Sequence, residues 1–274
     1  MPESLLKKLQ ETAAYIQSQY TQQPIVGIVL GSGLGNFVKE LSIEKEILYS
    51  DIPHFPQSTV KGHSGKMIFG KLNGKTVLVM AGRFHFYEGY TPQQVSYPIR
   101  VMKALGVQTL LLSNAAGAVN TSYKVGDLMI ITDHISFFTI NPLIGKNEDE
   151  LGTRFPDMSE PYSKKLISKA TEIGAQYGYH LHKGVYVAVT GPTFETHAEY
   201  RLIKAVGGDV VGMSTVQEVI VARHGGMDIF AVSVVTDLGI REGDNMITHE
   251  EVLAAANDAE PKLTNLFKEI VSTL

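Results

Sequence analysis

The sequence contains no cysteine. Disulfide bonds, thiolate metal sites and cysteine nucleophiles are therefore excluded. It also lacks any apolar run that approaches the roughly 20 residues a helix needs to cross a bilayer. Residues 1–20 do not have the pattern of a signal peptide, because their apolar positions follow one helix face and acidic residues interrupt them. We therefore expect a soluble, cytoplasmic protein.

A strong excess of charge of either sign is also lacking. The chain has 24 basic and 28 acidic residues, with a formal net charge of −4 at pH 7. It contains neither a basic tail nor a long run of like charge. Such a balance does not suit neutralisation of a nucleic-acid backbone. We expect small-molecule partners, with no nucleic acid and no membrane.

Helix and strand signals alternate along the whole chain. The 274 residues, 44% of them apolar, suffice for one large α/β domain or two small ones. Asn73-Gly74 between two apolar runs predicts a hairpin, while Thr91 and Thr248 begin capping-box patterns typical of helix starts. A loop-like stretch covers residues 135–162. We predict a single α/β domain over residues 1–274, with a mixed, largely parallel central sheet flanked by helices.

The stretch VLGSGLGNF, residues 29–37, follows an apolar strand-like run. A dinucleotide fingerprint requires a third glycine at the position of Asn36, so that pattern fails by one residue. No Lys-Ser/Thr pair follows these glycines to make a P-loop. Backbone N–H groups at such a turn, together with the hydroxyl of Ser32, suit a single phosphate. A tight turn that binds nothing stays open as the alternative.

A second stretch, GRFHFYEGY, covers residues 82–90. Strand alternation would place Arg83, His85 and Tyr87 on one face at a strand end. An arginine fork suits a phosphate dianion, and a nearby histidine can donate as well. Glu88 could orient either of them. The alternative is an edge strand with solvated polar residues.

Two further stretches suit anions more weakly. SNAAGAVN, residues 113–120, follows a strand and offers the N–H of Ala115. GMSTVQEVIVARH, residues 212–224, places Ser214 where a strand gives way to a helix. Each of these signals is weak alone, because turns with small residues are common at strand ends.

Taken together, these motifs resemble those of the trimeric purine nucleoside phosphorylase family. The resemblance spans about residues 25–255 in the family's order. Its pieces are LGSGLG, FPQSTVKGHSG, GRFHFYEGY, SNAAGAVN, GDLMIITDHI, NPLIG, RFPDMS, GPTFETHAE, GMSTVQEVIVARH and THEEV. It implies the nucleoside phosphorylase fold and phosphorolysis of purine ribo- or deoxyribonucleosides in purine salvage. Inorganic phosphate is then a co-substrate, with no metal and no organic cofactor.

The resemblance also implies a role for individual residues. The implied phosphate-binding residues are Ser32, His63, Arg83, Phe84, His85, Ala115 and Ser214. The implied purine-binding residues are Phe194, Glu195 and Asp237, and the ribose-binding residues are Tyr87, Met213 and His249. The implied catalytic residues are His85, Glu195 and Asp237. Phe155 would reach into the site of a neighbouring subunit, which implies a homotrimer. We interpret His180 and His182, which lack a third ligand, as surface residues and not as a metal site.

One position departs from the family. Asp237 stands where the family has an asparagine that faces purine N7 and the 6-oxo group. An ionised carboxylate would repel both acceptors and could accept from a 6-amino group, whereas a protonated carboxyl could donate to N7. Glu195 favours 6-oxopurines, because it would accept from N1–H. We expect inosine and guanosine as substrates, and the tolerance for 6-aminopurines stays open.

Other functions also stay open at this point. One is a phosphorylase that prefers 6-aminopurine nucleosides such as adenosine or methylthioadenosine. A second is a nicotinamide-dependent oxidoreductase, against which the failed glycine pattern counts. A third is a non-catalytic nucleoside or phosphate sensor.

Overall fold

A computed structural model describes residues 4–57, 65–240 and 247–274. Its helices are α1 (Leu5–Gln19), α2 (Pro92–Ala104), α3 (Lys164–Tyr177), α4 (His197–Ala205), α5 (Val216–His224) and α6 (His249–Ser272). Its strands are β1 (Val26–Val29), β2 (Ser42–Leu48), β3 (Lys66–Leu72), β4 (Lys75–Ala81), β5 (Thr109–Ala118), β6 (Leu128–Ile135), β7 (Leu181–Ala188), β8 (Val210–Gly212) and β9 (Asp228–Leu238). Short 3₁₀ turns include Gly35–Glu40 and Phe86–Glu88.

The nine strands form one sheet in the order β2-β3-β4-β1-β5-β8-β7-β6-β9. Because β5 also pairs with β9, the last five strands of that order close into a ring. β1 is parallel to β4 and β5, β5 to β9, and β7 to β6 and β8. The other four pairings between these described strands are antiparallel. The predicted mixed sheet is confirmed. Parallel pairings are only a small majority of the strand pairings, because two antiparallel pairings help to close the ring.

The hairpin between β3 and β4 is confirmed at the predicted turn. Leu72 pairs with Lys75, so Asn73 and Gly74 alone connect the strands. Both have positive φ, 49° and 77°. A type I′ turn requires positive φ at both central residues, and asparagine and glycine adopt it at the lowest cost. The local sequence therefore fixes this register.

The two predicted helix starts are confirmed as well. At the start of α2, the Thr91 hydroxyl accepts from the Gln94 N–H at 3.2 Å, and the Gln94 side chain accepts from the Thr91 N–H at 2.9 Å. Thr248 and Glu251 make the same reciprocal pair at the start of α6. These bonds satisfy donors that a helix N-terminus otherwise leaves free.

Apolar side chains cover both faces of the sheet. One layer packs α1, α2 and α5 against it, with Ile16, Met102 and Val219 among the buried residues. The opposite layer packs α3 and α6, with Ile173 and Phe267. Among the described residues, none of the helices combines the length and hydrophobicity that a bilayer span requires.

The parallel arrangement determines where a ligand can bind. β1, β4, β5 and β9 run in one direction, so their carboxyl ends lie at the same edge of the sheet. The segments at those ends carry Ser32, Arg83, Ala115 and Asp237. In α/β sheets, ligands bind in the crevice beyond the carboxyl ends of the strands.

Candidate active site

A cavity of about 360 Å³ opens at this edge of the sheet. One part of its wall, which we call the phosphate end, consists of residues predicted to hold phosphate: Ser32, Arg83, His85, Ala115 and Ser214. Another part, which we call the purine end, consists of Phe194, Glu195 and Asp237. The structure thus brings together side chains from segments that are more than 200 positions apart in the sequence.

Arg83 is the most constrained group of the phosphate end. Its side chain is 1% exposed and that of Glu218, in α5, is 3% exposed. Nε and Nη2 of Arg83 donate to the two Glu218 carboxylate oxygens at 3.1 and 2.7 Å. Nη1 donates to the carbonyl oxygen of Ser113. This bidentate pair neutralises the buried guanidinium and fixes the plane of its fork.

Glu218 was missed from the sequence, although it lies in a quoted motif. All but one of the residues of α5 are buried, and most of them are apolar. A carboxylate in such a helix is costly to bury unless it has a cationic partner. A glutamate among apolar residues could therefore have indicated a buried ion pair. Which cation it pairs with depends on tertiary structure.

His85 is oriented by Glu88. The carboxylate oxygen Oε1 of Glu88 lies 3.2 Å from His85 Nδ1 and accepts from the His85 backbone N–H at 2.7 Å. The His85 ring also stacks on the Tyr87 ring, with centroids 4.7 Å apart. Burial lowers the pKa of His85, and the hydrogen bond to Glu88 opposes that shift. Glu88 was expected to orient either Arg83 or His85, and it orients His85.

The alternative of an edge strand over residues 82–90 is wrong. β4 ends at Ala81, and the chain then turns into the 3₁₀ segment Phe86–Glu88. The His85–Glu88 pair forms a capping box there, and Gly89 takes a φ of 93°. These local bonds end the strand. Arg83 and His85 are consequently buried and not solvated.

The start of α5 carries backbone strain beside Ser214. Thr215 has a φ of 71°, which is unfavourable for a β-branched residue. The Asn114 side-chain amide donates to the Thr215 hydroxyl at 3.0 Å, and the Ser214 hydroxyl lies 3.1 Å from the same oxygen. Strain held by such contacts is typical of functional sites. Ser214 is thereby fixed just before a helix N-terminus, where an anion is favoured.

The glycine turn after β1 is set by a close approach. A Cβ added to Gly31 would lie 2.8 Å from the Asn114 Cα, and the Gly31 N–H donates to the Ser113 hydroxyl at 3.1 Å. Only glycine allows the ends of β1 and β5 to approach this closely. Ser32, the next residue, lines the cavity.

The purine end is more open than the phosphate end. Phe194 is 41% exposed, and Glu195 is half-buried just before α4. Asp237 accepts from the Thr236 hydroxyl at 3.0 Å. Burial raises the pKa of Glu195, its own backbone N–H and the nearby Tyr200 hydroxyl oppose the shift, and the charge of Asp237 adds to it. Two carboxylates therefore face the same space.

The predicted ribose-binding residues also line the cavity. Burial raises the pKa of Tyr87 to about 12, so its phenol is neutral near pH 7. Met213 is half-buried after β8. His249 is exposed at the first residue of α6.

Two predicted residues do not line the cavity, and a third is not described. Phe84 is 1% exposed and packs on Tyr49 with ring centroids 5.1 Å apart, so its side chain belongs to the aromatic core and does not line the cavity. Phe155 is 86% exposed and does not line the cavity of its own chain. His63 lies outside the described residues.

The pair His180 and His182 has a local explanation. Nε2 of His182 lies 2.9 Å from the Asp127 carboxylate, and its ring stacks on Tyr123 with centroids 4.0 Å apart. His180 is exposed, with its ring edge-on to His182. Within residues 4–57, 65–240 and 247–274, no group of three or more potential ligands is placed to hold a metal ion.

Comparison with known proteins gives concordant matches. The family model described as the phosphorylase superfamily matches residues 25–272. Purine nucleoside phosphorylase 1 of Geobacillus stearothermophilus is 48% identical over 266 residues, which cover 97% of each chain. The purine nucleoside phosphorylase of Bos taurus is 45% identical over 97% of this chain and 94% of that protein. A Schistosoma purine nucleoside phosphorylase solved with hypoxanthine superposes with a TM-score of 0.93, at 43% identity and 98% coverage of each chain.

Proposed function

Because the chain belongs to the phosphorylase superfamily and, within it, to the purine nucleoside phosphorylases, we propose that it cleaves purine nucleosides with inorganic phosphate. Inosine and guanosine are the main substrates, as ribo- or deoxyribonucleosides. Related Schistosoma enzymes have been solved with inosine and with guanosine. The products are the free purine base and ribose or deoxyribose 1-phosphate, as expected of an enzyme in purine salvage.

The observation that carries this proposal is a single cavity whose wall combines both groups of residues. A buried arginine whose fork is fixed by Glu218 suits a tetrahedral dianion. An aromatic ring and two carboxylates in the same wall suit a flat base with N–H donors. A ribose between them would contact Tyr87, Met213 and His249.

The reaction then follows from geometry. An oxygen of phosphate approaches C1′ of the sugar from the face opposite the base. The C1′–N9 bond breaks, its electron pair goes to the purine, and a C1′–O bond to phosphate forms through an oxocarbenium-like state. The leaving base gains at N7, through solvent, the proton that hydrogen phosphate loses as ribose 1-phosphate forms. Donors aimed at the base, and negative charge placed below the sugar, are stabilising at the transition state and lower the barrier.

Ser32, Arg83, His85, Ala115 and Ser214 bind phosphate in this proposal. His63 and the backbone at Phe84 join them by resemblance alone. Glu195 accepts from N1–H of a 6-oxopurine, Phe194 packs on the base, and Asp237 faces N7 and the 6-substituent. His85, Glu195 and Asp237 are the catalytic residues. Phosphate is the co-substrate, and no metal or organic cofactor takes part.

We also infer a homotrimer in which Phe155 of one subunit covers the site of the next. Phe155 is 86% exposed, and Phe137 and Ile144 in the same long segment are 91% and 65% exposed. Large apolar side chains exposed together favour an interface between subunits. Size-exclusion chromatography with light scattering tests the state, and Phe155→Ala tests the contribution to turnover. A cytoplasmic location is part of the same proposal.

The test of function is a paired assay. Protein and inosine are incubated with and without phosphate, and hypoxanthine and ribose 1-phosphate are measured. The proposal expects both products only with phosphate; hypoxanthine with free ribose in the absence of phosphate would indicate a hydrolase instead. Binding of nucleoside without any product would indicate a sensor.

The carboxyl group at position 237 is the reason for a second assay, which compares inosine with adenosine. We expect inosine to be cleaved with a higher kcat/KM than adenosine, because Glu195 accepts from N1–H. An adenosine kcat/KM far above that of inosine would contradict the 6-oxopurine assignment. Asp237→Asn replaces the carboxyl group by the amide that the family has at this position, and it should shift the preference further toward inosine.

A further inference from the structure

Tyr200 is a buried tyrosine behind the purine end. It lies in α4 and is 2% exposed. Its backbone N–H donates to the Thr196 carbonyl at 3.0 Å. Its ring lies against the chain just after β9, where a Cβ added to Gly239 would approach the ring carbons to 2.5 Å. The ring is therefore held between α4 and the residues that follow Asp237.

The hydroxyl of Tyr200 is placed beside two carboxylates. Its oxygen is buried and lies near the carboxylate and the N–H of Glu195, yet it makes no hydrogen bond of full geometry to any residue in the described ranges. Burial raises the pKa of Tyr200, and the charges of Glu195 and Asp237 add to the shift. The phenol therefore keeps its proton. A buried hydroxyl without a well-formed hydrogen bond is unfavourable and rare, and a contact that completes on ligand binding accounts for it.

The Glu195 carboxylate requires hydrogen-bond donors to stay ionised. Burial raises its pKa, and the negative charges of Asp237 and Glu199 add to that effect. Glu199 is exposed and already accepts from the Thr196 N–H at 2.7 Å. To accept from a purine N–H, the Glu195 carboxylate must be ionised and directed into the cavity. Its own backbone N–H and the Tyr200 hydroxyl are the donors that favour the ionised form.

We propose that Tyr200 is a positioning residue for purine recognition: its hydroxyl donates to the Glu195 carboxylate when the base enters, and holds that carboxylate ionised and aimed at the purine. The proposal rests on the proposed function, because it takes Glu195 as the acceptor for the base. Tyr200 itself does not touch substrate. Its effect reaches the base through Glu195 alone.

Tyr200→Phe is the decisive variant, because it removes the hydroxyl and keeps the ring. Since the hydroxyl has no full hydrogen bond without purine, its loss should leave the melting temperature unchanged or higher. Purine recognition should weaken nonetheless. A residue with a merely structural role would show the opposite pattern, with a lower melting temperature and no selective effect on purine.

The experiment compares the wild type, Tyr200→Phe and the control Tyr177→Phe. Tyr177 is an exposed residue of α3 whose hydroxyl donates to Glu269 at 3.0 Å. KM for inosine and for phosphate is measured from pH 5 to pH 9, and hypoxanthine binding by calorimetry. In Tyr200→Phe we expect the inosine KM and the hypoxanthine Kd to rise about 10- to 100-fold, the range for a hydrogen bond to a charged group. The phosphate KM should stay within about twofold. The acidic limb of kcat, which reports the enzyme–substrate complex, should move to higher pH, because Glu195 there loses a donor to its ionised form.

Unchanged inosine KM, hypoxanthine Kd and acidic limb would overturn the proposal. So would an equal rise of both KM values accompanied by a lower melting temperature. A wild type that releases no hypoxanthine from inosine and phosphate would count against the proposed function instead. Hypoxanthine calorimetry would still test Tyr200 in that case.

Discussion

The two ends of the cavity are built in different ways. At the phosphate end, Arg83 and His85 are buried, and each is fixed by a carboxylate of its own, Glu218 and Glu88. At the purine end, Phe194 is 41% exposed and two carboxylates share one space. Arg83 and His85 of the first end are thus held in place before any ligand arrives. The second becomes complete only when a base, and by our proposal a neighbouring subunit, fill it.

This difference has a physical reason. Inorganic phosphate is small and offers few contacts, so affinity for it requires donors whose entropy has already been lost on folding. A nucleoside brings a large ring with several hydrogen-bonding groups, and its binding energy can order side chains as it enters. We therefore expect variants at the phosphate end to have large effects, and variants at the purine end to have smaller, substrate-dependent ones.

The largest effect is expected from Arg83→Met. Loss of the fork should lower kcat/KM by roughly 10²- to 10³-fold or more, the range for removal of one preorganised donor. It also leaves Glu218 buried without its cation, which should destabilise the fold by about 3–5 kcal/mol. Steady-state kinetics and thermal unfolding measure the two effects.

The double variant Arg83→Met with Glu218→Leu separates these effects. Replacing both partners by apolar residues of similar volume is often close to neutral for stability. We expect the melting temperature to recover toward the wild-type value while activity stays lost. Recovery of activity together with stability would show that the guanidinium does not bind phosphate.

Glu218→Gln should have the next largest effect. The amide cannot offer two equivalent acceptors to the fork, so Arg83 loses its fixed plane. We expect the phosphate KM to rise about 10- to 100-fold, as for other residues that orient a ligand-binding group, with the inosine KM within about threefold. Glu172→Gln, on the exposed face of α3, makes the same chemical change and serves as the control variant. A change at the neighbouring Gln217 would not serve, because Gln217 is buried as well. Equal changes in both KM values would break the distinction between the ends.

At the purine end, Phe194→Ala should have a moderate effect. Aromatic contacts contribute about 0.5–1.5 kcal/mol beyond buried area, so we expect the inosine KM to rise about 3- to 10-fold. The phosphate KM should not change. Leu48→Ala, at an exposed apolar residue of β2 that does not line the cavity, serves as the control. A larger loss of kcat/KM in Phe194→Ala than in Arg83→Met would contradict the expectation that variants at the phosphate end have the larger effects.

The smallest effects concern stability against pH, and they have opposite signs at the two ends. The pKa of His85 lies below its ordinary value of 6.5, so the unfolded chain binds the proton first. Its contribution to stability is present above pH 6.5 and is lost as the pH falls toward the folded-state pKa. Glu195, with a pKa above its ordinary 4.5, contributes stability at low pH that is lost as the pH rises through the folded-state pKa.

Urea unfolding of His85→Gln and Glu195→Gln at several pH values tests these signs. His85→Gln should reduce the loss of stability on acidification below pH 6.5 relative to the wild type. Glu195→Gln should reduce the loss that accompanies a rise in pH above 4.5. Half-buried His134 and buried His224, whose pKa values burial also lowers, remain in both variants and do not affect the comparison.

Much of the fold was predictable from local sequence, whereas the purine- and ribose-binding candidates of the cavity wall came from the family resemblance. The turn at Asn73-Gly74, the caps at Thr91 and Thr248, and the strand ends that carry Ser32 and Arg83 all follow from short-range chemistry. The ring closure was not predictable, because it depends on β5 pairing with β9 more than a hundred residues away. Long-range pairing leaves no local trace in one sequence.

The residues that support the site were the hardest to predict. Glu218 lies in a helix of mostly buried apolar residues, and Tyr200 lies on the buried face of α4. From the sequence, both positions belong to the core. Their polar atoms acquire a function only through partners that the fold brings close, Arg83 and Glu195. The strand expected over residues 82–90 failed for a related reason, because the His85–Glu88 capping box competes with the strand.

Calorimetric titration of the free protein with inorganic phosphate, with no nucleoside present, tests the central claim most directly. If the groups of the phosphate end are already held in place without ligand, the wild type should bind one phosphate per chain saturably. We expect affinity weakened about 10- to 100-fold in Glu218→Gln and no measurable binding to Arg83→Met. Phosphate that binds the wild type only after nucleoside is added, or that binds Arg83→Met as tightly as the wild type, would contradict the account.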